Sequence, residues 1–257
     1  VFASCTGFAP GATVPHYLGD VFDFKPDTIL TNISSHGCEA GYSGLRRAYD
    51  FVVAWGKPAV SINCELCSLT YFPEGEKPDP ENDYELLRGN AIFADGAASA
   101  LIGFDEDPRH PEILDFETHT DKRYRDYLGY TWRDGRLRLL LSKKVPECAS
   151  EIASTAVRKL LARWELLPYQ VHYWVIHAAG MRVLELIAEK LGLGEEALYS
   201  SRRTLMEYGN VSSATVGITG KLLIESIKPQ PNEWLVMVNV GPGMTSNAML
   251  CRFTGGS

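Results

Sequence analysis

Cys38, His177 and Asn210 are of the three side-chain types that acyl-transferring thiol enzymes combine. Such chemistry needs a nucleophile, a base that also donates a proton, and an amide that holds a carbonyl oxygen. Cys38 follows the β-branched run 28–33 and the turn Ser34-Ser35-His36-Gly37, and it precedes Leu45, Ala48, Tyr49, Val52 and Val53, which recur at helical spacing. The run predicts a buried strand. The spacing predicts a helix over about 39–55, stopped by Gly56 and Pro58, so Cys38 sits at a strand-to-helix corner. Unpaired amides and the positive end of the helix dipole favour thiolate over thiol there, and the thiolate is the reactive form. The plain alternative is an ordinary small buried cysteine. His177 closes the apolar run 173–176, and Asn210 opens a helix after Glu207-Tyr208-Gly209.

Four segments together resemble the type III polyketide synthases, the chalcone synthase-like branch of the thiolase superfamily. They are Gly37-Cys38 opening a helix, the stretch 91–98 around Phe93-Ala94-Asp95-Gly96, the stretch 207–214 around Asn210, and Gly241-Pro242-Gly243-Met244-Thr245. The likeness runs over essentially the whole chain. It implies an α/β, thiolase-like fold of two related halves, with central, mostly parallel sheets covered by helices. The first half, over 1–105, is incomplete and carries the nucleophilic cysteine; the second, over 106–257, carries the histidine and asparagine.

The resemblance also implies a reaction, the decarboxylative condensation of malonyl-CoA with an acyl-CoA starter held on Cys38. His177 is then the base and hydrogen-bond donor, and Asn210 the amide donor to the enolate oxygen. Phe93 resembles the aromatic gatekeeper between a coenzyme A tunnel and an elongation cavity. Gly241, Pro242 and Gly243 resemble the loop that shapes the cyclisation cavity. Coenzyme A thioesters enter as substrates, with no further cofactor and no metal. The family pairs its subunits as homodimers, and residues 7–12 resemble a segment near that interface. The chain opens in what reads as mid-strand without an initiator methionine, so the resemblance implies that something like the first third is absent, with basic residues that contact coenzyme A.

Composition frames these readings. At 257 residues and 45% hydrophobic content the chain can bury a substantial core. Its net charge of −7 and scattered basic residues give no nucleic-acid footprint. The six dispersed cysteines are no disulfide framework and point to a reducing compartment. No apolar run approaches the roughly 18 residues of a membrane span, and no basic leader precedes Val1, so a cytoplasmic protein without membrane partners is expected. Cys64-Glu65-Leu66-Cys67 is a CxxC without the second pair that a zinc site needs.

The elements that must position the chemistry follow in order. A short helix is expected over 11–18, a parallel strand over 59–65, and a surface loop rich in proline and charge over 72–84. The stretch 88–96, which includes 91–94, turns at Asp95-Gly96 into a strand over 97–104, so two adjacent strands joined through an Asp-Gly turn are expected. An exposed strand over 112–120 and an amphipathic helix over 145–166 come next. The remainder reads as strand 172–177, helix 180–191, a helix from Asn210 to about 227, strand 233–240, a glycine turn and strand 247–253. Alternation of this kind implies parallel sheets with helices on both faces.

Rival and departing residues complete the reading. His36 is a second histidine near Cys38, read as a turn residue, and His172 begins its strand partly exposed. Phe93 also reads as a core phenylalanine, and the glycine pair around Pro242 as plain strand packing. Glu39 places a carboxylate directly after the nucleophile, which raises a thiol's pKa although it suits a first helical turn. Ala178-Ala179-Gly180 stands where the family shows Pro-Gly-Gly, and Leu139 stands near a second gatekeeper position. Two other functions remain open: a ketoacyl carrier-protein synthase III-like enzyme, and a catalytically inactive fragment acting as a dimerisation module.

Overall fold

A computed structural model of the chain describes residues 1–7, 12–71, 79, 83–104, 107–133 and 135–254. Most of the surface loop expected over 72–84, and most of the segment 7–12, lie outside the described residues. The first sheet runs in the order β2-β1-β3-β4, from β1 (Phe2–Ser4), β2 (Asn32–Ser34), β3 (Ala59–Glu65) and β4 (Gly96–Ile102). Helix α1 (Val14–Val21) starts three residues later than expected because Thr13 forms a capping box with His16 and Pro15 suits a first turn. Helix α2 (Ala40–Trp55) ends on left-handed Gly56, as its sequence predicts.

Two strand readings in this half are corrected. The strand before Cys38 is Asn32–Ser34 at the sheet edge, not a buried strand over 28–33, and Ile29 is 59% exposed. Its ladder begins where Phe2 N donates to Thr31 O, and an edge strand has a neighbour on one flank only. Residues 91–94 are not a strand either: Ala91 and Ile92 end helix α3 (Tyr84–Ile92), and Phe93 leaves it with extended dihedrals. Gly89 lets α3 approach Leu139 so closely that an added Cβ would stand 2.5 Å from it. That tertiary packing outweighs the extended look of a run of small residues.

The second sheet runs in the order β5-β10-β9-β8, from β5 (Glu112–Thr120), β8 (Tyr173–Ile176), β9 (Trp234–Gly241) and β10 (Thr245–Arg252). Between them lie the hairpin β6 (Leu128–Arg133) and β7 (Arg136–Leu141), helix α4 (Val145–Ala162), α5 (Met181–Leu191), α6 (Tyr199–Glu207) and α7 (Thr215–Ser226). The sheets are mixed rather than mostly parallel. β1–β2, β1–β3 and β8–β9 pair in parallel, whereas β3–β4, β9–β10 and β5–β10 are antiparallel. Each sheet takes in a returning strand, and the connection from β9 to β10 is too short for a parallel crossover.

Helices α2 and α7 lie between the two sheets, and α4 with α5 covers the far side of the second. Tyr42 and Leu45 of α2 share a buried cluster with Val216, Leu235 and Met249, while Ile152 and Leu160 of α4 pack with Val236, Val238 and Leu250. Only glycine at 41 lets α2 meet the Ser213 carbonyl, since a Cβ there would stand 2.1 Å from that oxygen. Coverage of both faces therefore holds for the second sheet. In the first, Ser61 faces α2, and its alternating neighbour Val60, paired with Leu101, remains exposed at 43% and 73%.

Candidate active site

Cys38 lies in a single 3-10 turn, Gly37–Glu39, immediately before α2. Gly37 has φ +58°, and a Cβ on it would stand 2.4 Å from the ring of Pro242, so only glycine makes this corner. The thiol is 5% exposed, and Ser212 Oγ donates to Sγ at 3.5 Å. Burial pushes the thiol up to about 12, against the hydrogen bond from Ser212, with the Glu65 carboxylate adding to the rise. This overturns the expectation of a thiolate at rest. Desolvation of the charged sulfur outweighs the pull of the helix start.

His177 follows β8 and is fastened there by its amide, which donates to Val238 O at 2.9 Å. Its ring is buried, 3% exposed, and neither Nδ1 nor Nε2 has a hydrogen-bond partner. Burial depresses its pKa to about 4, so the imidazole is neutral near pH 7. Asn210 follows left-handed Gly209 and sits 2% exposed. Its backbone pairs with the segment after α3, donating to Ile92 O at 3.0 Å and accepting from Ala94 N at 2.9 Å. Its Oδ1 accepts from Ser212 N at 2.9 Å and Thr215 Oγ1 at 3.3 Å, which fixes the amide so that Nδ2 is the donor left over. Nδ2 reaches Ala179 O at 3.4 Å, a long contact that leaves donor capacity.

Cys38, His177 and Asn210, far apart in sequence, line one cavity of about 220 Å³. Phe93 lines it as well, with Val240 and the first residues of α4 and α5. Gly241, Pro242 and Gly243 are not in its wall. Pro242 packs behind Gly37, and Gly241 lies so close to Glu39 that an added Cβ would stand 2.8 Å from its amide nitrogen. The loop thus buttresses the nucleophile corner from outside the cavity. Leu139 is buried against α3 and also stays out of the wall.

His36 faces a different cleft, with Nδ1 3.2 Å from Ser43 Oγ and 3.1 Å from Glu39. The Glu39 carboxylate turns away from the sulfur and accepts from Asn247 Nδ2 at 2.8 Å. It raises the Cys38 thiol less than burial or Glu65 does. His172 Nδ1 accepts from Trp234 N at the exposed strand start. All six cysteines are free, and no cluster of metal-ligating side chains occurs among the described residues.

From the sequence, Glu65 reads only as part of the CxxC. It is wholly buried and accepts from Ser4 Oγ at 3.1 Å, Cys5 N at 3.1 Å, Thr6 Oγ1 at 2.6 Å and Ser213 Oγ. It thereby ties the end of β1 to the turn whose Ser212 touches Cys38. The available signal was a carboxylate inside an apolar strand, since glutamate is almost never fully buried without partners.

The chalcone and stilbene synthase C-terminal domain model matches residues 127–254. A putative chalcone synthase of Bacillus subtilis is 28% identical over all of this chain, which covers 70% of that protein. Type III polyketide synthase B of Arabidopsis thaliana is 31% identical over 92% of the chain, covering 62% of its own length. Among solved structures, the 1,3,6,8-tetrahydroxynaphthalene synthase of Streptomyces coelicolor superposes with a TM-score of 0.86 at 25% identity, over 99% of this chain and 71% of that one. The chain thus spans 57% to 70% of the length of curated relatives such as these. With its helices between and outside two sheets and its cysteine at the corner that opens α2, the chain is similar over essentially its whole length to the chalcone synthase-like type III polyketide synthases, and residues 127–254 match the C-terminal domain of that family.

Proposed function

We propose that this chain carries the condensing site of a polyketide-forming acyltransferase that joins malonyl-CoA to an acyl-CoA starter. The observation that carries the reading is a neutral, unpartnered His177 in the same cavity as Cys38 and Asn210. A thiol held near 12 needs a base at the moment of attack, and a buried neutral imidazole supplies one. In loading, His177 takes the Cys38 proton, the sulfur attacks the starter's thioester carbonyl, and coenzyme A leaves as a thiolate that recovers the proton. In condensation, malonyl-CoA loses carbon dioxide. The electrons of the broken C–C bond form an enolate, whose oxygen accepts from Asn210 Nδ2 and from the N–H of neutral His177. The enolate carbon then attacks the acyl-Cys38 thioester and expels the sulfur. Fixed donors in a site this dry need no reorganisation as charge develops.

Phe93, in the cavity wall, separates the entry from the growing chain in this reading. The same reading includes a homodimer, to be checked by sedimentation at micromolar concentration, and a cytoplasmic location, which six free cysteines support. The relatives named as type III polyketide synthases favour a polyketide-forming condensation over a ketoacyl carrier-protein synthase. Intact mass after incubation with an isotope-labelled acyl-CoA tests the proposal. One acyl group gained by the wild type and none by Cys38→Ala is the expected result. No adduct on Cys38 would leave the chain a catalytically silent dimerisation module.

A further inference from the structure

A second cleft, of about 490 Å³, opens where the edge strand β2 and the first turns of α2 meet β5 and β10 of the other sheet. It shares no residue with the cavity of Cys38. Its basic side chains are Arg46, Arg47 and His36, and among the described residues no carboxylate lines it, although the chain as a whole carries a net charge of −7. Amides and hydroxyls surround them, among them Asn32, Ser34 and Thr118. The volume lies within the roughly 300–1,000 Å³ of pockets that enclose small organic molecules. A wall that is polar and of one sign attracts a hydrophilic guest of the opposite sign.

Helix α2 prepares the two arginines for such a guest. Helical spacing lets both reach Asp50: Arg46 Nε donates to Oδ1 at 2.9 Å, and Arg47 Nη1 to Oδ2 at 3.0 Å. Two guanidinium groups thus share one carboxylate, and one positive charge is left over. Arg46 also lies 4.3 Å from the Phe116 ring centre, which holds its guanidinium in place while its terminal nitrogens meet no acceptor among the described residues. An arginine fixed before its ligand arrives has less freedom to lose on binding. His36 presents Nδ1 to Ser43 and Glu39, and its Nε2 has no partner among the described residues. The nearby carboxylates are committed elsewhere, Glu39 to His36 and Asn247 and Glu117 to Arg163. Ion pairs as open to water as those with Asp50 contribute little to folding, so stability alone does not explain the cluster.

We propose that this cleft is a second ligand site, for a small hydrophilic polyanion such as a phosphate ester or a polycarboxylate, gripped by Arg46 and Arg47 with His36 beside them. A guanidinium presents two parallel N–H donors to a phosphate or a carboxylate, which suits it to this task better than a lysine. The amide of Asn32 and the hydroxyls of Ser34 and Thr118 meet the polar body of the guest. The site stands apart from the condensing reading, because no residue of it lines the cavity of Cys38.

Calorimetry on the whole chain tests the proposal, at one fixed salt concentration because exposed charges are screened. The probes are glucose 6-phosphate, citrate and inorganic phosphate, with glucose as the uncharged control. Wild type should bind one of the two organic anions at a single saturable site with a dissociation constant below roughly 1 mM, and glucose not at all. Preference for glucose 6-phosphate assigns a phosphate ester, and preference for citrate a polycarboxylate. Arg47→Gln and Arg47→Glu should weaken binding by roughly tenfold or more, the scale of one lost charge-assisted contact, and Arg47→Lys should recover part of the loss. Arg47 is exposed, so these variants should keep the wild-type thermal melt. Arg125→Glu, which changes an exposed arginine outside the cleft, should leave affinity unchanged. Equal affinity in wild type and Arg47→Glu, or an equal loss in Arg125→Glu, would overturn the proposal by showing that anions gather on the surface at large. Organic anions bound no better than inorganic phosphate would overturn it too. So would affinity that falls as protein concentration rises, since a second copy would then be covering the cleft.

Discussion

At the scale of single residues, the donors around the proposed enolate make separable contributions. Replacing Asn210 with Ala should slow carbon dioxide release from malonyl-CoA by roughly 10²-fold or more, the scale for one lost oxyanion donor. Loading of Cys38 should suffer less, because His177 still takes the proton. His177→Ala should damage both steps, and the double variant should be little worse than His177→Ala, since groups acting as a unit are not additive. Single-turnover acylation beside carbon dioxide release separates the roles; Asn210→Ala abolishing loading while sparing decarboxylation would refute them. The resting thiol makes a second prediction. Held at about 12, Cys38 should react with iodoacetamide ever faster up to at least pH 10, and more slowly than half-exposed Cys64 at pH 7. A rate that levels off near pH 6 would instead reveal a thiolate–imidazolium pair.

At the scale of elements, the nucleophile corner is a close packing of two turns from different sheets. Gly37 bears both a left-handed backbone and the Pro242 ring, whereas Gly56, at the other end of α2, has φ +63° and nothing within 4 Å of an added Cβ. Gly56→Ala should therefore cost only the backbone strain, roughly 1 kcal/mol. Gly37→Ala should add overpacking of roughly 1–3 kcal/mol and displace Cys38 as well. Urea midpoints and acyl loading of both variants check this; equal destabilisation, with loading intact in Gly37→Ala, would show that the Pro242 contact yields freely. The contact also explains why Gly241-Pro242-Gly243 matters without touching the cavity.

At the scale of the whole molecule, burial of a neutral histidine ties stability to pH. The folded pKa of His177, about 4, lies below its ordinary 6.5, so the unfolded chain binds more protons between those values. Stability is full above about pH 6.5 and falls as pH drops towards 4, by up to roughly 3 kcal/mol from this residue. Denaturant midpoints at pH 7 and pH 4.5 should fall further in wild type than in His177→Gln. An identical fall in both would mean that His177 is solvated in the folded chain.

Much of this was legible before any coordinates. Periodicity located α2, α4, α5, β3 and β9, because their apolar faces repeat with the period of their own backbone. Residue types and turn signals singled out Cys38, His177 and Asn210, and the structure brings them to one cavity. Three things needed the tertiary structure. Whether 91–94 would be strand or helix was settled by packing on β7, and strand direction by which chains became neighbours. The state of the Cys38 thiol was settled by exclusion of water, which no neighbouring letter records. The sequence shows the Glu65 carboxylate inside a strand but not its partners, the hydroxyls and amides at the end of β1 and the turn at Ser213: a sequence lists what each residue can donate or accept, and only the fold decides who stands within hydrogen-bond reach of it.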